Sequence, residues 1–172
     1  SIQQFKLIKY WFKTHQIEAK LQEQIIERIK TIITMINACQ SLEQLRGLEG
    51  ASAKIVFYVM SLIAPAWAKF QGRNRRPPKD PINVLLSLSY SLIYAECTRA
   101  LTAHALDPML GFYHEPVHGR YSLACDLTER IRCDIEKWVM QLLFNEQLRP
   151  VHFASSEQYP CVLNKEGRAI FY

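Results

Sequence analysis

Between Asp80-Pro81 and Asp107-Pro108 lies Ile82 to Ala105, a segment apolar on nearly every face. A helix that is hydrophobic all round has to be buried, so the rest of the chain must pack around it. Asp80 reads as its N-cap and Pro81 as its first helical residue, where a missing N–H removes no helical bond. The packing partners are visible on the N-terminal side. Ile2 to Phe12 carries Phe5, Ile8, Trp11 and Phe12 at helical spacing. Ile17 to Ala38 continues with Leu21, Ile25, Ile29, Ile32, Ile33 and Ile36, a sustained helical stripe. Ser41-Leu-Glu-Gln44 has the form of a capping box and predicts a new short helix. A dense apolar helix is predicted from Ala51 to about Lys69.

On the C-terminal side, Gly111 to Tyr121 is rich in turn residues, and an amphipathic helix is predicted from Asp126 through Ile131, Ile135, Trp138, Val139, Leu142 and Leu143. Arg149 to Tyr172 is less periodic, and Asn164-Lys-Glu-Gly167 predicts a last short helix. The expected fold is all-α: a multi-helix domain around a central buried helix, with residues 1–172 read as a single domain.

Composition narrows the class without naming a function. The net charge of +5 permits a polyanionic partner but does not establish one. Five cysteines are scattered without a C-x-x-C pair, which predicts reduced thiols in a cytosolic compartment and excludes a zinc ribbon. The longest apolar candidate for a bilayer span, Ile55 to Trp67, is interrupted by Tyr58, Ser61 and Pro65, so no membrane association is expected. The chain carries no recognisable signal peptide and starts without Met in an amphipathic segment, as a piece of a larger protein would.

Three acidic residues and one histidine attract attention. Glu49 lies between glycines at an expected helix start, where it is either a ligand with room around it or a partner of the helix dipole. Asp126 and Glu129 stand three apart, so they share a helix face, or they form an N-cap and its capping box. His114 sits in a loop and gains value as a ligand only where carboxylates converge on it. Two carboxylates and an imidazole suit Mg²⁺ or Mn²⁺ with positions left for phosphate and water. His15, His104, His118 and His152 lack comparable surroundings and are read as structural. No phosphate-cradling glycine loop and no Ser–His–Asp or Cys–His arrangement is present. Basic residues gather nearby in sequence: Arg46 before Glu49, the run Arg73, Arg75, Arg76 and Lys79, and then Arg120 and Arg132. They are either a solvated surface or a DNA-backbone contact whose affinity would depend steeply on salt.

Four elements occur together and in order: Leu45-Arg-Gly-Leu-Glu-Gly-Ala51, Arg73-Asn-Arg-Arg-Pro-Pro-Lys-Asp-Pro-Ile-Asn83, Gly111-Phe-Tyr-His-Glu-Pro116 and Ser122-Leu-Ala-Cys-Asp-Leu-Thr-Glu129. With them, nearly the whole chain resembles the catalytic domain of the CRISPR spacer-acquisition integrase, the "Cas-one" family. The resemblance implies that Glu49, His114 and Glu129 are the metal triad, Asp126 an accessory acid and Tyr94 a tyrosine near the active site. It also implies that Arg120 and Arg132 lie against DNA.

It further implies a prokaryotic cytoplasmic endonuclease and integrase. Such an enzyme forms homodimers and works with a small ferredoxin-like partner, the "Cas-two" protein. It captures double-stranded DNA and inserts it into the CRISPR repeat through attack by 3′-hydroxyls. The family's N-terminal β-domain is absent from this sequence, and some family members are fused to a reverse transcriptase. Two other readings stay open: a transposase-type integrase of a mobile element with the same fold, and a non-catalytic DNA-binding assembly module whose acids only cap helices.

Overall fold

The computed structural model describes residues 2–172, which form two compact units, residues 2–73 and 74–172. The architecture is helical, as expected, with one small antiparallel strand pair.

The first unit contains α1 (Ile2–Thr14), α2 (Ala19–Ala38) and α3 (Leu42–Ile63), followed by a single 3₁₀ turn at Ala66–Ala68. Helix α2 buries Ile25, Ile29 and Ile32, the i, i+4, i+7 stripe read from the sequence. Helix α1 buries Leu7, Ile8 and Trp11, and its Gln4 is the acceptor for the Ser52 hydroxyl of α3. Both of these polar residues are buried, so each satisfies the other in a place water does not reach.

Helix α3 departs from expectation. It is one continuous helix where a short helix and a separate longer one were predicted. Its cap is Ser41, whose hydroxyl accepts from the Gln44 amide at 3.2 Å. Packing of Ser52, Ile55, Val56, Val59 and Met60 carries the helix through Gly47 and Gly50. It stops at Ile63 and not near Lys69, because Pro65 has no N–H and pushes the residue before it out of helical conformation.

The second unit contains α4 (Pro81–Ala103), α5 (Ser122–Phe144), a 3₁₀ turn at Pro150–His152, the strands β1 (Phe153–Ala154) and β2 (Val162–Leu163), and α6 (Lys165–Phe171). The strands pair Phe153 with Leu163 and Ala154 with Val162. Helix α4 begins as read: Asp80 accepts from the Asn83 amide at 2.9 Å, and Pro81 is the first helical residue. Its N-terminal half is the buried part, holding Ile82, Val84, Leu85 and Leu86, whereas Leu92 and Glu96 further along reach solvent. Asn164 caps α6, as expected, by accepting from the Gly167 amide at 2.9 Å.

Helix α5 starts at Ser122, one turn before the predicted Asp126. Helices α4 and α5 form the main helix pair of this unit, joined by the loop that carries His114. All five cysteines are free thiols. Among the described residues, no helix is long and apolar enough to cross a membrane.

Candidate active site

Asp126 organises the loop before α5. As the fifth residue of the helix, it is not the N-cap considered from the sequence. Its carboxylate turns back and accepts from the backbone amides of Phe112 at 2.6 Å, Tyr113 at 3.0 Å and His114 at 3.0 Å. The same carboxylate meets Nδ1 of His114 at 2.7 Å. Burial works to raise the Asp126 pKa. The His114 side chain and the amides of Tyr113, Phe112 and His114 outweigh it and hold the carboxyl below its ordinary value.

A carboxylate can only accept, so Nδ1 of His114 carries the hydrogen. A neutral imidazole then presents its lone pair at Nε2, the arrangement in which a histidine ligates a metal with a carboxylate behind it. The ring's exposure of 26% leaves it accessible. Gly111 allows the loop to close this tightly. A Cβ there would lie 2.4 Å from the His114 carbonyl oxygen and 2.7 Å from Cβ of Ser122.

Tyr94 acts at the start of α5. Its hydroxyl accepts from the Tyr121 amide at 3.0 Å, and the two rings stack with centroids 6.3 Å apart. Tyr121 offers no side-chain cap of its own, so Tyr94 satisfies a helix-start donor from another helix. Arg120 is drawn into the loop: its guanidinium donates to the Glu115 carbonyl, and its Nε reaches the Ser122 hydroxyl at 3.4 Å.

Glu129 does not complete a capping box, because it lies two turns into α5. Both of its carboxylate oxygens are 2.9 Å from Nη1 of Arg132. Arg132 in turn reaches Oε1 of Glu136 through Nε at 3.3 Å, and the Tyr90 hydroxyl donates to that same oxygen at 3.0 Å. Sequence reasoning missed this network. The i, i+3, i+7 spacing of Glu129, Arg132 and Glu136 was a visible signal that they share one face of α5.

Glu49 lies in the first unit, in the interior of α3 and half-buried. Eight residues beyond the Ser41 cap, it is too far from the helix start to serve the dipole there. A Cβ at either Gly47 or Gly50 would meet nothing within 4 Å, so packing does not account for those glycines. Arg46 precedes them, half-buried on the same helix, and Arg73 closes the unit. In the second unit, Arg75, Arg76 and Lys79 are exposed on a loop pinned from within. The Asn74 side chain accepts from the Lys79 amide at 3.0 Å and donates to Asp80, while the Asn74 amide donates to Asn83 at 2.9 Å.

His104 and His152 bond to the main chain. Nδ1 of His104 lies 2.8 Å from the Ala100 carbonyl, and Nδ1 of His152 accepts from the Arg149 amide at 3.0 Å. Among the described residues, no three His, Cys, Asp or Glu side chains are grouped as a ready metal cage. His114 is paired with Asp126, and Glu129 with Arg132.

The model of the CRISPR associated protein Cas1 family matches residues 2–172. The chain belongs to the Cas1 family. A curated Cas1 relative, the CRISPR-associated endonuclease Cas1 1 of Thermodesulfovibrio yellowstonii, is 44% identical over 133 residues, covering 77% of this chain and 42% of the relative. The chain therefore spans less than half the length of that protein.

Among solved structures, a partial Cas6-RT-Cas1–Cas2 complex superposes with a TM-score of 0.88 at 28% identity, covering 98% of this chain and 52% of that one. A casposase bound to integration product gives a TM-score of 0.78 at 26% identity, covering 98% and 48%. Cas1 membership agrees with the resemblance read from the four sequence elements, and the helical fold agrees with it as well.

Proposed function

We propose that this chain is the catalytic part of a metal-dependent DNA endonuclease and integrase of CRISPR adaptation, with Glu49, His114 and Glu129 as ligands of Mg²⁺ or Mn²⁺. The observation that carries this reading is the His114–Asp126 pair in a Cas1-family chain. The carboxylate fixes the ring and the loop backbone together. A histidine that ligates through Nε2 is oriented by such a carboxylate at Nδ1.

The donor set fits such a cation: carboxylate oxygens for a hard ion and one imidazole for a borderline one. Bound there, the ion supplies Lewis-acid polarisation of a phosphoryl oxygen. The chain's own residues do the rest. Asp126 keeps the His114 tautomer and orientation fixed. Tyr94 holds the start of α5, and with it Asp126 and Glu129. Arg75, Arg76 and Lys79 sit exposed on a pinned loop, suited to phosphates of duplex DNA without reading its bases. Arg120 and Arg132 are assigned to DNA contact on the strength of the resemblance, and Arg46 and Arg73 on their charge.

The full reaction is insertion of captured double-stranded DNA into a CRISPR repeat, in which a 3′-hydroxyl displaces a repeat phosphodiester oxygen. A Cas2-type partner belongs to the same proposal, supported by the likeness to the Cas6-RT-Cas1–Cas2 complex, and homodimerisation belongs to it on the resemblance alone. The test is strand transfer of a labelled duplex by the intact protein with its small partner, with and without Mn²⁺ or Mg²⁺. Glu49→Ala, His114→Ala and Glu129→Ala are each expected to abolish product. Retention of activity by all three would sink the assignment.

The likeness to a casposase favours a second reading, integration of a mobile element. Target choice separates the two: insertion confined to CRISPR repeats supports the first, and insertion at other sequences supports the second.

A further inference from the structure

Glu136 is the most deeply buried acid among the described residues, at 1% exposure. Its Oε1 receives Tyr90 and Arg132, while its Oε2 is buried with no hydrogen-bond partner. A carboxylate buried in this way is a poor stabiliser, since apolar residues of similar size generally serve a core as well or better. What Glu136 does achieve is to anchor Arg132. That guanidinium also lies 5.5 Å from the centre of the Tyr90 ring, so α4 and α5 both confine it.

The outer end of Arg132 faces Glu129. The Arg132 side chain is 14% exposed and that of Glu129 is 32%, so the carboxylate is the more accessible member of the pair. One fixed cation therefore stands between two acids, one buried and one accessible.

The geometry points to Arg132 as a place-holding cation for Glu129, with Glu136 and Tyr90 as the positioning residues that keep it there. This rests on the reading of Glu129 as a metal ligand. Arg132 keeps the Glu129 carboxylate oriented and compensated. As a ligand of a divalent ion, Glu129 would have to be shared with or released by Arg132, which would compete for it. Glu136 remains as the counter-charge that holds the displaced guanidinium close by, where its freed N–H groups are available to a phosphate oxygen.

Competition of this kind makes opposite predictions for the two ends of the network. Removing the place-holder should tighten metal binding. Neutralising its anchor should weaken metal binding, because Arg132 is then left with Glu129 as its main counter-ion. A purely structural network would weaken binding in both cases.

The experiment is Mn²⁺ titration of this chain without DNA, followed by calorimetry and by the loss of free-ion electron paramagnetic resonance signal. Arg132→Met is expected to lower the Mn²⁺ dissociation constant by roughly three- to tenfold, and Glu136→Gln to raise it by a similar factor. Arg132→Met alone leaves Glu136 buried without its cation and can impair folding. The double variant Arg132→Met/Glu136→Gln leaves no charge buried at position 136, and it is expected to bind more tightly than wild type.

Weaker or unchanged binding by the double variant overturns the place-holder role while leaving the metal assignment standing. Absence of Mn²⁺ binding by the wild-type chain, with every variant equally silent, overturns the metal assignment and this inference with it. Tighter binding by the double variant together with weaker binding by Glu136→Gln supports the inference.

Discussion

Asp126 and Glu136 lie on the same helix and are treated in opposite ways. Asp126, half-buried near the helix start, collects three backbone amides and one imidazole nitrogen, and its pKa falls. Glu136 is fully enclosed, with two donors on one oxygen and none on the other. Burial pushes its pKa up to about 7, against the pull of Arg132 and Tyr90. The same chemical group is thus a rigid organiser at one end of α5 and an uneasy buried charge at the other. Donor count decides between them: a carboxylate stays comfortably ionised where its lone pairs are answered, and not where desolvation is left half-compensated.

The largest effect that would break this contrast is expected at Asp126. Asp126→Asn keeps the size but not the charge, and its amide end cannot accept from the loop. Mn²⁺ binding should weaken by roughly ten- to a hundredfold, as for other carboxylates behind a metal-ligating histidine. Amide exchange at Phe112, Tyr113 and His114 should quicken in the same variant. Unchanged binding, measured by calorimetry, would remove Asp126 from the account.

Gly111→Ala attacks the same loop from its packing. The added Cβ would press on the His114 carbonyl and on Ser122, so a loss of about 1–3 kcal/mol is expected in urea unfolding. Gly50→Ala provides the opposite control, since a Cβ there meets nothing within 4 Å. It should stabilise α3 by about 0.5–1 kcal/mol.

The pH dependence sharpens the comparison from the Glu136 side. Around it stand Tyr90 from α4, and Glu129, Arg132 and Cys133 from α5. Burial first, and the Glu136 charge second, hold the Tyr90 hydroxyl far above neutral, so it remains a donor. Burial likewise pushes the Cys133 thiol up to about 12. Glu136 is therefore the group that titrates near neutrality in this cluster.

Between its ordinary value of 4.5 and about 7, the folded chain keeps a proton that the unfolded chain has released. Its contribution to stability is fully present below that window and is lost as pH rises through about 7. A fall on the order of 1–3 kcal/mol is expected across the window, and Glu136→Gln should flatten it. Coincident pH–stability curves for wild type and variant would contradict the buried-charge description.

The smallest effects on the fold are expected in the basic loop. Arg75→Gln, Arg76→Gln and Lys79→Gln should each leave stability within about 0.5 kcal/mol. Each should also reduce the salt slope of DNA binding by about one. An unchanged slope would remove that residue from the DNA surface.

The legible parts of the chain were those governed by local chemistry and period. Asp80-Pro81 and Asn164 announce helix starts through their own side chains, and Ile25, Ile29 and Ile32 mark a buried face by spacing alone. Two boundaries were misread for the complementary reason. Gly47 and Gly50 each lower helix propensity by about 1 kcal/mol, which hid the continuity of α3 until the packing of Ser52, Ile55 and Val56 was known. Tyr121 makes no side-chain cap, and its own amide is bonded by Tyr94 from another helix, so the start of α5 carries no local signal.

At the site, the residue types and their order carried the family likeness. The work of Asp126 on loop amides a dozen or more residues earlier is tertiary and has no local signature. The enclosure of Glu136 was equally invisible, although its spacing from Arg132 was not.

The most direct measurement is anomalous diffraction from crystals of this chain grown with Mn²⁺. The account predicts one manganese peak about 2.0–2.3 Å from Nε2 of His114 and from carboxylate oxygens of Glu49 and Glu129, with Nδ1 of His114 still on Asp126. A peak that lacks any of these three ligands, or no peak at all at saturating Mn²⁺, would contradict it.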